Sequence, residues 1–134
     1  MKFAAEYYEL TGTKLGRSVM EEIKTGLPSS SARVIGDLLS LTSQETVCLL
    51  STSLTLHNKK NGVLSTISSD KALFIMRVIL RAEDIFGDRN HLKTWIRTPN
   101  ITLSNQQPLH LLHFSIGVES VLDSLLRQKY SFVV

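Results

Sequence analysis

The sequence predicts an all-α protein of 134 residues. Short apolar stretches with helical spacing recur along the chain, and glycine, proline or small polar residues close each of them. Two pairs have the spacing of a capping box, in which a side-chain oxygen and a glutamate satisfy the first backbone amides of a helix: Ser18 with Glu21, and Thr42 with Glu45. These observations favour many short helices over strands.

The composition is typical of a small folded protein, with 43% hydrophobic residues and a net charge of +3. The mildly basic balance permits nucleic-acid binding but does not require it. Cys48 is the only cysteine, so an intramolecular disulfide is excluded, and its apolar helix favours a place in the core. We see no apolar run near the ~20 residues of a membrane span and no signal peptide, and we therefore expect a cytoplasmic protein with no membrane partner.

The N-terminal region begins with a stretch that has two interpretations. It is either one amphipathic helix ended by Gly12, or a frayed or partner-ordered terminus. The apolar positions of the possible helix are Phe3, Ala4, Tyr7, Tyr8 and Leu10. A second helix is expected from Ser18 to about Thr25, where Gly26 and Pro28 stop it. Serines 29 to 31 can cap a third helix. Its apolar positions are Val34, Ile35, Leu38, Leu39 and Leu41.

The next segment has the layout of a helix-turn-helix, which we place near residues 30–62. The helix opened by Thr42 is followed by a break at 51–53 and by a short helix predicted over Leu54–Lys60. Asparagine can read adenine and lysines can hold phosphates. The alternative is a solvated helix end, because lysines favour the last helical turn. The candidate DNA-binding residues are Thr52, Ser53, Thr55, His57, Asn58, Lys59 and Lys60.

The longest predicted helix covers Asp70–Phe86, with Ser68 or Ser69 as its cap. A helix this apolar needs cover on more than one side. We expect it to connect the helix-turn-helix to a C-terminal domain and to offer its excess apolar surface to a second copy. The sequence therefore predicts a homodimer.

The C-terminal region is a series of hard stops. Gly87 suits the residue after a helix, and Asp88 can cap the next one. Pro99 ends that helix, and Pro108 suits the first turn of another. Gly117 opens the last helix. Its apolar face is formed by Val121, Leu122, Leu125 and Leu126.

This order of landmarks resembles the C-terminal toxin-binding domain of the Xre/MbcA/ParS-type antitoxins. The family pattern appears here as Phe86-Gly87-Asp88, Trp95-Ile96, Pro99-Asn100, Leu103, Pro108-Leu109, then Gly117, Val121, Leu125, Leu126 and Tyr130. The chain has Ser104-Asn105 where the family usually has two glycines, and Ser131 where it has another. The run from Ile23 to Pro28 resembles the N-terminal domain of the same antitoxins. Thr55-Leu56 resembles their second helix-turn-helix helix without its arginines.

The resemblance implies an antitoxin of a type II toxin-antitoxin system. It would neutralise a cognate RES-domain toxin that degrades NAD, or a related ADP-ribosylating toxin, by covering the active site. It would also repress its own operon by binding operator DNA. The alternative is a stand-alone helix-turn-helix repressor. The domains would be 1–68 with the helix-turn-helix, 69–87 as a connecting helix and 88–134 for toxin binding.

The C-terminal tail is the predicted toxin-binding element. Large apolar side chains there either fold back on the core or dock on another protein. The candidate toxin-binding residues are Arg127, Lys129, Tyr130, Ser131, Phe132, Val133 and Val134.

Catalytic and ligand-binding patterns are missing from the sequence. We find no nucleophile elbow, phosphate loop, dinucleotide fingerprint or zinc-protease motif. His110 and His113 have no acidic or thiol partner nearby, and we expect them on a polar face. The sequence therefore predicts neither an enzyme nor a cofactor, metal site or small-molecule substrate.

Overall fold

The structure is a computed structural model that describes residues 2–131. Within these residues the chain is all-α, as predicted, and contains no strand. Two isolated β-bridges join Pro28 to Val63 and Asn100 to Gln106. The chain divides into two compact units at the boundary between Arg77 and Val78.

The first unit is built from five helices and the first part of a sixth. The helices are α1 (Lys2–Thr11), α2 (Val19–Thr25), α3 (Ser30–Leu39), α4 (Ser43–Leu50), α5 (Leu54–His57) and α6 (Thr66–Phe86). Helix α6 continues past the boundary into the second unit. The core is formed by buried apolar side chains, among them Leu27, Ile35, Leu39, Leu49, Leu50, Leu64 and Met76. No described helix is both long and apolar enough to cross a membrane.

The second unit contains short helices separated by tight turns. They are α7 (Arg89–Trp95), a 3₁₀ helix (Ile101–Leu103), α8 (Pro108–Leu111) and α9 (Ser115–Ser131). Gly87 has φ +71° after α6, and Pro108 is the first residue of α8, as predicted. The core includes Leu92, Ile96, Val121 and Leu125.

The ambiguous N-terminal stretch is a helix. Tyr7 of α1 is buried, and its hydroxyl shares a hydrogen bond of 2.9 Å with the buried Ser31 Oγ. A single polar atom on each side is thereby satisfied in an apolar setting, which favours one position of α1 on α3. Gly12 ends the helix with φ +72°.

Several predicted caps are confirmed. Ser18 accepts from the N–H of Glu21, and Asp88 accepts from the N–H of Asn90. At Thr42 the capping box is complete. The N–H of Glu45 donates to Thr42 Oγ1 at 3.1 Å, and the N–H of Thr42 donates back to Glu45 Oε1 at 2.9 Å. These bonds fix the start of α4.

The predicted start of the longest helix was wrong. Helix α6 begins at Thr66 rather than Asp70, because Ser65 Oγ accepts from the N–H of Ser68 one turn earlier. Ser68 and Ser69 are buried inside the helix. Ser69 Oγ accepts from the N–H of Leu27 at 2.9 Å, and Ser68 Oγ donates to the carbonyl of Ser51. The two serines therefore bind distant backbone instead of capping.

The predicted length of α5 was also wrong. The helix ends at His57, with Asn58 as its C-cap, so Lys59 and Lys60 lie in the loop that follows. Ser29 Oγ donates to the carbonyl of Lys59 at 3.1 Å. Ser29 stands at the N-cap of α3 but makes no side-chain cap. Its hydroxyl binds the loop after α5 instead.

Cys48 was misplaced by the sequence analysis. It is exposed on α4, whereas its neighbours Val47 and Leu49 are buried. On a helix of this length only one stripe faces the core, and adjacent residues point to different sides. An apolar run such as 47–50 therefore contains a position that solvent reaches.

Candidate functional site

Helix α9 is seated on its unit by a close backbone contact. A Cβ atom placed on Gly117 would lie 1.9 Å from the carbonyl oxygen of Leu111 at the end of α8. Only glycine fits this close approach. The prediction that Gly117 opens the last helix was wrong, because α9 begins at Ser115. Val121 and Leu125 continue the buried face of the helix with no exposed surface.

A small polar cluster holds the 3₁₀ helix against α9. Thr102 Oγ1 and the buried Ser124 Oγ share a hydrogen bond of 2.7 Å. Asn100 Oδ1 accepts from both the N–H and the hydroxyl of Thr102 at 2.9 and 2.7 Å. Each of these polar atoms has a partner, so the cluster specifies one position of α9.

The loop before α8 keeps its shape without the usual glycines. Ser104 and Asn105 have φ values of 57° and 61°, in the left-handed region that glycine adopts most readily. Asparagine tolerates this conformation better than most residues. The two substitutions therefore preserve a turn that positions Pro108 at the start of α8.

The predicted toxin-binding residues divide between the helix and the residues beyond it. Arg127, Lys129 and Tyr130 are exposed on the last turns of α9, and Tyr130 is 65% exposed. Arg127 forms an ion pair with Asp123 at 3.1 Å, one turn earlier on the solvent face. Ser131 is the last described residue and belongs to α9. The other predicted residues, Phe132, Val133 and Val134, lie outside the described residues.

Leu126 does not belong to the buried face, contrary to the sequence prediction. Its side chain is 41% exposed, whereas Val121 and Leu125 are fully buried. Leu126 and Tyr130 are four residues apart on the helix and so are neighbours on its surface. The exposed pair was overlooked because two consecutive leucines were both assigned to the core. The four-residue spacing between Leu126 and Tyr130 was the signal that could have revealed this exposed pair.

The predicted DNA-binding residues surround α5. Ser53 caps this helix by accepting from the N–H of Leu56 at 3.1 Å, and Thr55 is exposed. Asn58, Lys59 and Lys60 are exposed after the helix. Thr52 is half-buried, and its Oγ1 is among the buried atoms without a hydrogen-bond partner.

His57, one of the candidate DNA-binding residues, is buried, with only 7% of its surface exposed. Its Nδ1 is buried without a hydrogen-bond partner. The carbonyl of His57 accepts from Arg33 Nη1 at 2.8 Å, which ties the end of α5 to α3. Helix α5 packs against α3 and α4, contacts that the spacing of its own residues does not indicate.

No group of three or more potential ligands within residues 2–131 is arranged to hold a metal ion. His110 is exposed and His113 is half-buried. His91 is exposed and stacks obliquely on Phe86, with ring centroids 4.3 Å apart. Phe86 also contacts the buried Trp95, at 5.7 Å between centroids. These aromatic contacts pack the turn between α6 and α7.

Comparison with known protein families identifies the second unit. Residues 81–130 match the family model of the antitoxin Xre/MbcA/ParS C-terminal toxin-binding domain. The matched residues run from the last turns of α6 through Tyr130 of α9. A comparison with curated proteins found no match. The family match confirms the resemblance predicted from the landmarks.

Proposed function

We propose that the chain is an antitoxin that neutralises a RES-type toxin that degrades NAD, because residues 81–130 match the toxin-binding domain of the Xre/MbcA/ParS antitoxins. A related ADP-ribosylating toxin is the alternative target of the same surface. The proposed action is a cytoplasmic one, in a type II system in which one protein blocks another by direct contact. The antitoxin would need no catalytic group or cofactor of its own.

The exposure of Leu126 and Tyr130 on α9 carries this proposal. The match to the family's toxin-binding domain extends to Tyr130 and so includes both of these exposed side chains. Large apolar side chains in solvent are costly, and tyrosine is enriched among the residues that dominate binding energy. Gly117 and the Thr102–Ser124 bond fix the helix that presents them.

The proposed mechanism is exclusion of the substrate. A toxin that consumes NAD must admit a ligand with two phosphates into a pocket. The last turns of α9 and residues 131–134 would cover the entrance, with Arg127 and Lys129 making polar contacts at its rim. Tyr130 and Phe132 would be the aromatic anchors, on the order of 2 kcal/mol each. Inhibition then requires contact with the toxin but no chemical reaction.

Removal of residues 130–134 tests whether the end of the chain covers the toxin's active-site entrance. The truncated chain should keep its helical signal, because Tyr130 is 65% exposed and Val121 and Leu125, which hold α9 in the core, are retained. Cells that co-express it with the toxin from the neighbouring gene should lose NAD. If the truncated chain protects NAD at equal expression, residues 130–134 do not cover the entrance, and another part of the domain must do so.

A matched pair of tyrosine substitutions separates binding from folding. Tyr8 on α1 and Tyr130 on α9 are both exposed, at 55% and 65%. Tyr130→Ala should release toxin activity, whereas Tyr8→Ala should leave neutralisation unchanged. Equal effects of the two substitutions would contradict a specific role for α9.

We also propose that the chain represses its own operon by binding DNA through residues 52–60, which include α5 and the start of the loop after it. Support comes from the exposed Asn58, Lys59 and Lys60, which follow a capped helix joined to α4 by a tight turn. Lysines in this position suit contacts to backbone phosphates. A stand-alone repressor remains the second candidate, distinguished by operator binding without any effect on a toxin.

The double substitution Lys59→Ala and Lys60→Ala tests operator binding. Each lost phosphate contact lowers the slope of log K against log salt by about one unit. The control is Lys14→Ala with Lys24→Ala, which removes the same charge from exposed positions of the first unit. Toxin neutralisation should survive in both variants. An unchanged salt slope in the first variant would rule out this placement of the DNA contact.

We further propose a homodimer that uses the exposed apolar side chains of α6. Ile67 is 67% exposed and Phe74 lies two turns later on the same face, at 41%. A stable interface of standard size buries roughly 1,600 Å² in total. Light scattering at tens of micromolar should give twice the chain mass, and Ile67→Ser with Phe74→Ser should give the monomer. A monomeric unsubstituted chain would contradict the proposal.

A further inference from the structure

A cavity of about 800 Å³ opens on the first unit beside the start of α3. Two cationic side chains from distant parts of the sequence line it. Arg17 comes from the segment before α2, and Lys60 comes from the loop after α5. Neither side chain forms an ion pair or hydrogen bond with a described residue. The cavity therefore brings together two positive charges that have no ion-pair partner among the described residues.

The cavity wall contains two glycines at tightly packed positions. Gly26 and Gly62 line it, and a Cβ at either position would collide with neighbouring atoms at 2.0 and 2.6 Å. Ser30 also lines it, and its hydroxyl makes no hydrogen bond with a described residue. The Ser30 hydroxyl supplies a donor besides the two cations. The geometry suits an anion whose several oxygens accept from different directions.

We propose that this cavity binds a phosphate group, with Arg17 and Lys60 as its cationic contacts. A guanidinium and an ammonium group in one cavity suit a phosphate better than a single carboxylate, because the phosphate has more oxygens to accept from both. The phosphate belongs either to duplex DNA or to a free phosphate compound. The duplex source rests on the proposed repressor function, in which Lys60 already takes part. Arg17 would then extend the DNA contact beyond the helix-turn-helix.

Glu22 makes the proposal sharper, because its carboxylate lines the same cavity. A like charge opposes anion binding, so Glu22→Gln should strengthen it while Arg17→Ala and Lys60→Ala weaken it. Lys24 is exposed on α2 and does not line the cavity, and Lys24→Ala is the matched control. Opposite effects from neighbouring substitutions distinguish a site from general surface charge.

The first arm of the test titrates the full chain with inorganic phosphate at constant ionic strength. The amide signals of Gly26 and Gly62 should shift saturably in nitrogen–proton correlation spectra. Arg17→Ala should weaken binding by about threefold, Glu22→Gln should strengthen it by a similar factor, and Lys24→Ala should leave it unchanged.

The second arm titrates the same variants with a duplex from upstream of the chain's own gene. Arg17→Ala should lower the salt slope by about one unit if the phosphate belongs to DNA. A phosphate response without any duplex response assigns the site to a free phosphate compound. This outcome contradicts the repressor function but not the phosphate site. A duplex response to Arg17→Ala without a free-phosphate shift assigns it to DNA. If neither arm responds to Arg17→Ala or Glu22→Gln, the proposal is overturned.

Discussion

The two units differ in how closely single residues specify their structure. In the second unit Gly87, Asp88 and Pro108 each occupy the position that their stereochemistry favours, and all three were predicted. In the first unit the serines have several possible roles. Ser29 and Ser69 bind distant backbone, although each was among the candidate caps of a helix. Restricted backbone angles are local properties, whereas a hydroxyl finds its partner through the tertiary fold.

The same difference separates the two proposed binding surfaces. The proposed toxin-binding surface lies on α9, a long helix fixed by a glycine contact and a polar cluster, within the matched family region. The proposed DNA contact surrounds α5, a helix of one turn. Its position depends on single hydrogen bonds from Arg33 and Ser29. Substitutions in the two units should therefore differ in how much stability they remove.

The largest loss of stability is expected from Gly117→Ala. The new methyl group would overlap the Leu111 carbonyl, so α8 and α9 must separate, at a cost of about 3 kcal/mol or more. Urea denaturation followed by circular dichroism measures the change. Gly16→Ala is the control, because its Cβ would meet open space and its backbone is unstrained. Similar midpoints for the two variants would contradict the close approach.

A smaller loss is expected from Tyr7→Phe in the first unit. The substitution removes the hydroxyl that pairs with Ser31 and leaves a buried serine without its partner, at a cost of about 1–2 kcal/mol. Tyr8→Phe at the exposed neighbour should stay within about 0.5 kcal/mol. The same denaturation measurement compares the two. Equal stability would mean that α1 is not fixed through this bond.

Thr42→Ala should cost about 1 kcal/mol, because the capping box at the start of α4 loses its side-chain acceptor. Ser43→Ala at the next, exposed position is the control and should have little effect. The comparison sharpens the contrast between hydroxyls with local and with distant partners. A neutral Thr42→Ala would place the stability of α4 in its packing alone.

The smallest effect is expected at Cys48. Because its side chain is exposed, Cys48→Ser should change stability by less than about 0.5 kcal/mol. A thiol-specific reagent should modify the folded chain at the same rate as in urea, within about tenfold. Protection of the thiol until the chain unfolds would restore the core position that the sequence favoured.

Much of the fold could be predicted because its signals are local. The all-α class, the stops at Gly26, Gly87 and Pro99 and the box at Thr42 follow from backbone angles and helix spacing. The start of α6 could not be predicted, since Ser65, Ser68 and Ser69 are all plausible caps. Their choice depends on partners in other helices.

The candidate site was predictable to the level of the helix. The landmarks placed Tyr130 on the predicted toxin-binding element, but Leu126 was assigned to the core. Two leucines in succession both fit an apolar face, and only the packing of α9 against the rest of its unit decides which of them is buried. The burial of His57 likewise depends on a neighbour that the spacing of α5 does not specify.

Neutralisation of the toxin through the exposed face of α9 is tested most directly by an inhibition titration in solution. The purified full chain is added to the toxin from the neighbouring gene, and the rate of NAD loss is measured against antitoxin concentration. The unsubstituted chain should abolish the loss, and Leu126→Ser with Tyr130→Ala should raise the concentration for half-inhibition by at least about 30-fold. An unchanged curve for the double variant would contradict the role of this face, and undiminished NAD loss with the unsubstituted chain would contradict neutralisation of this toxin.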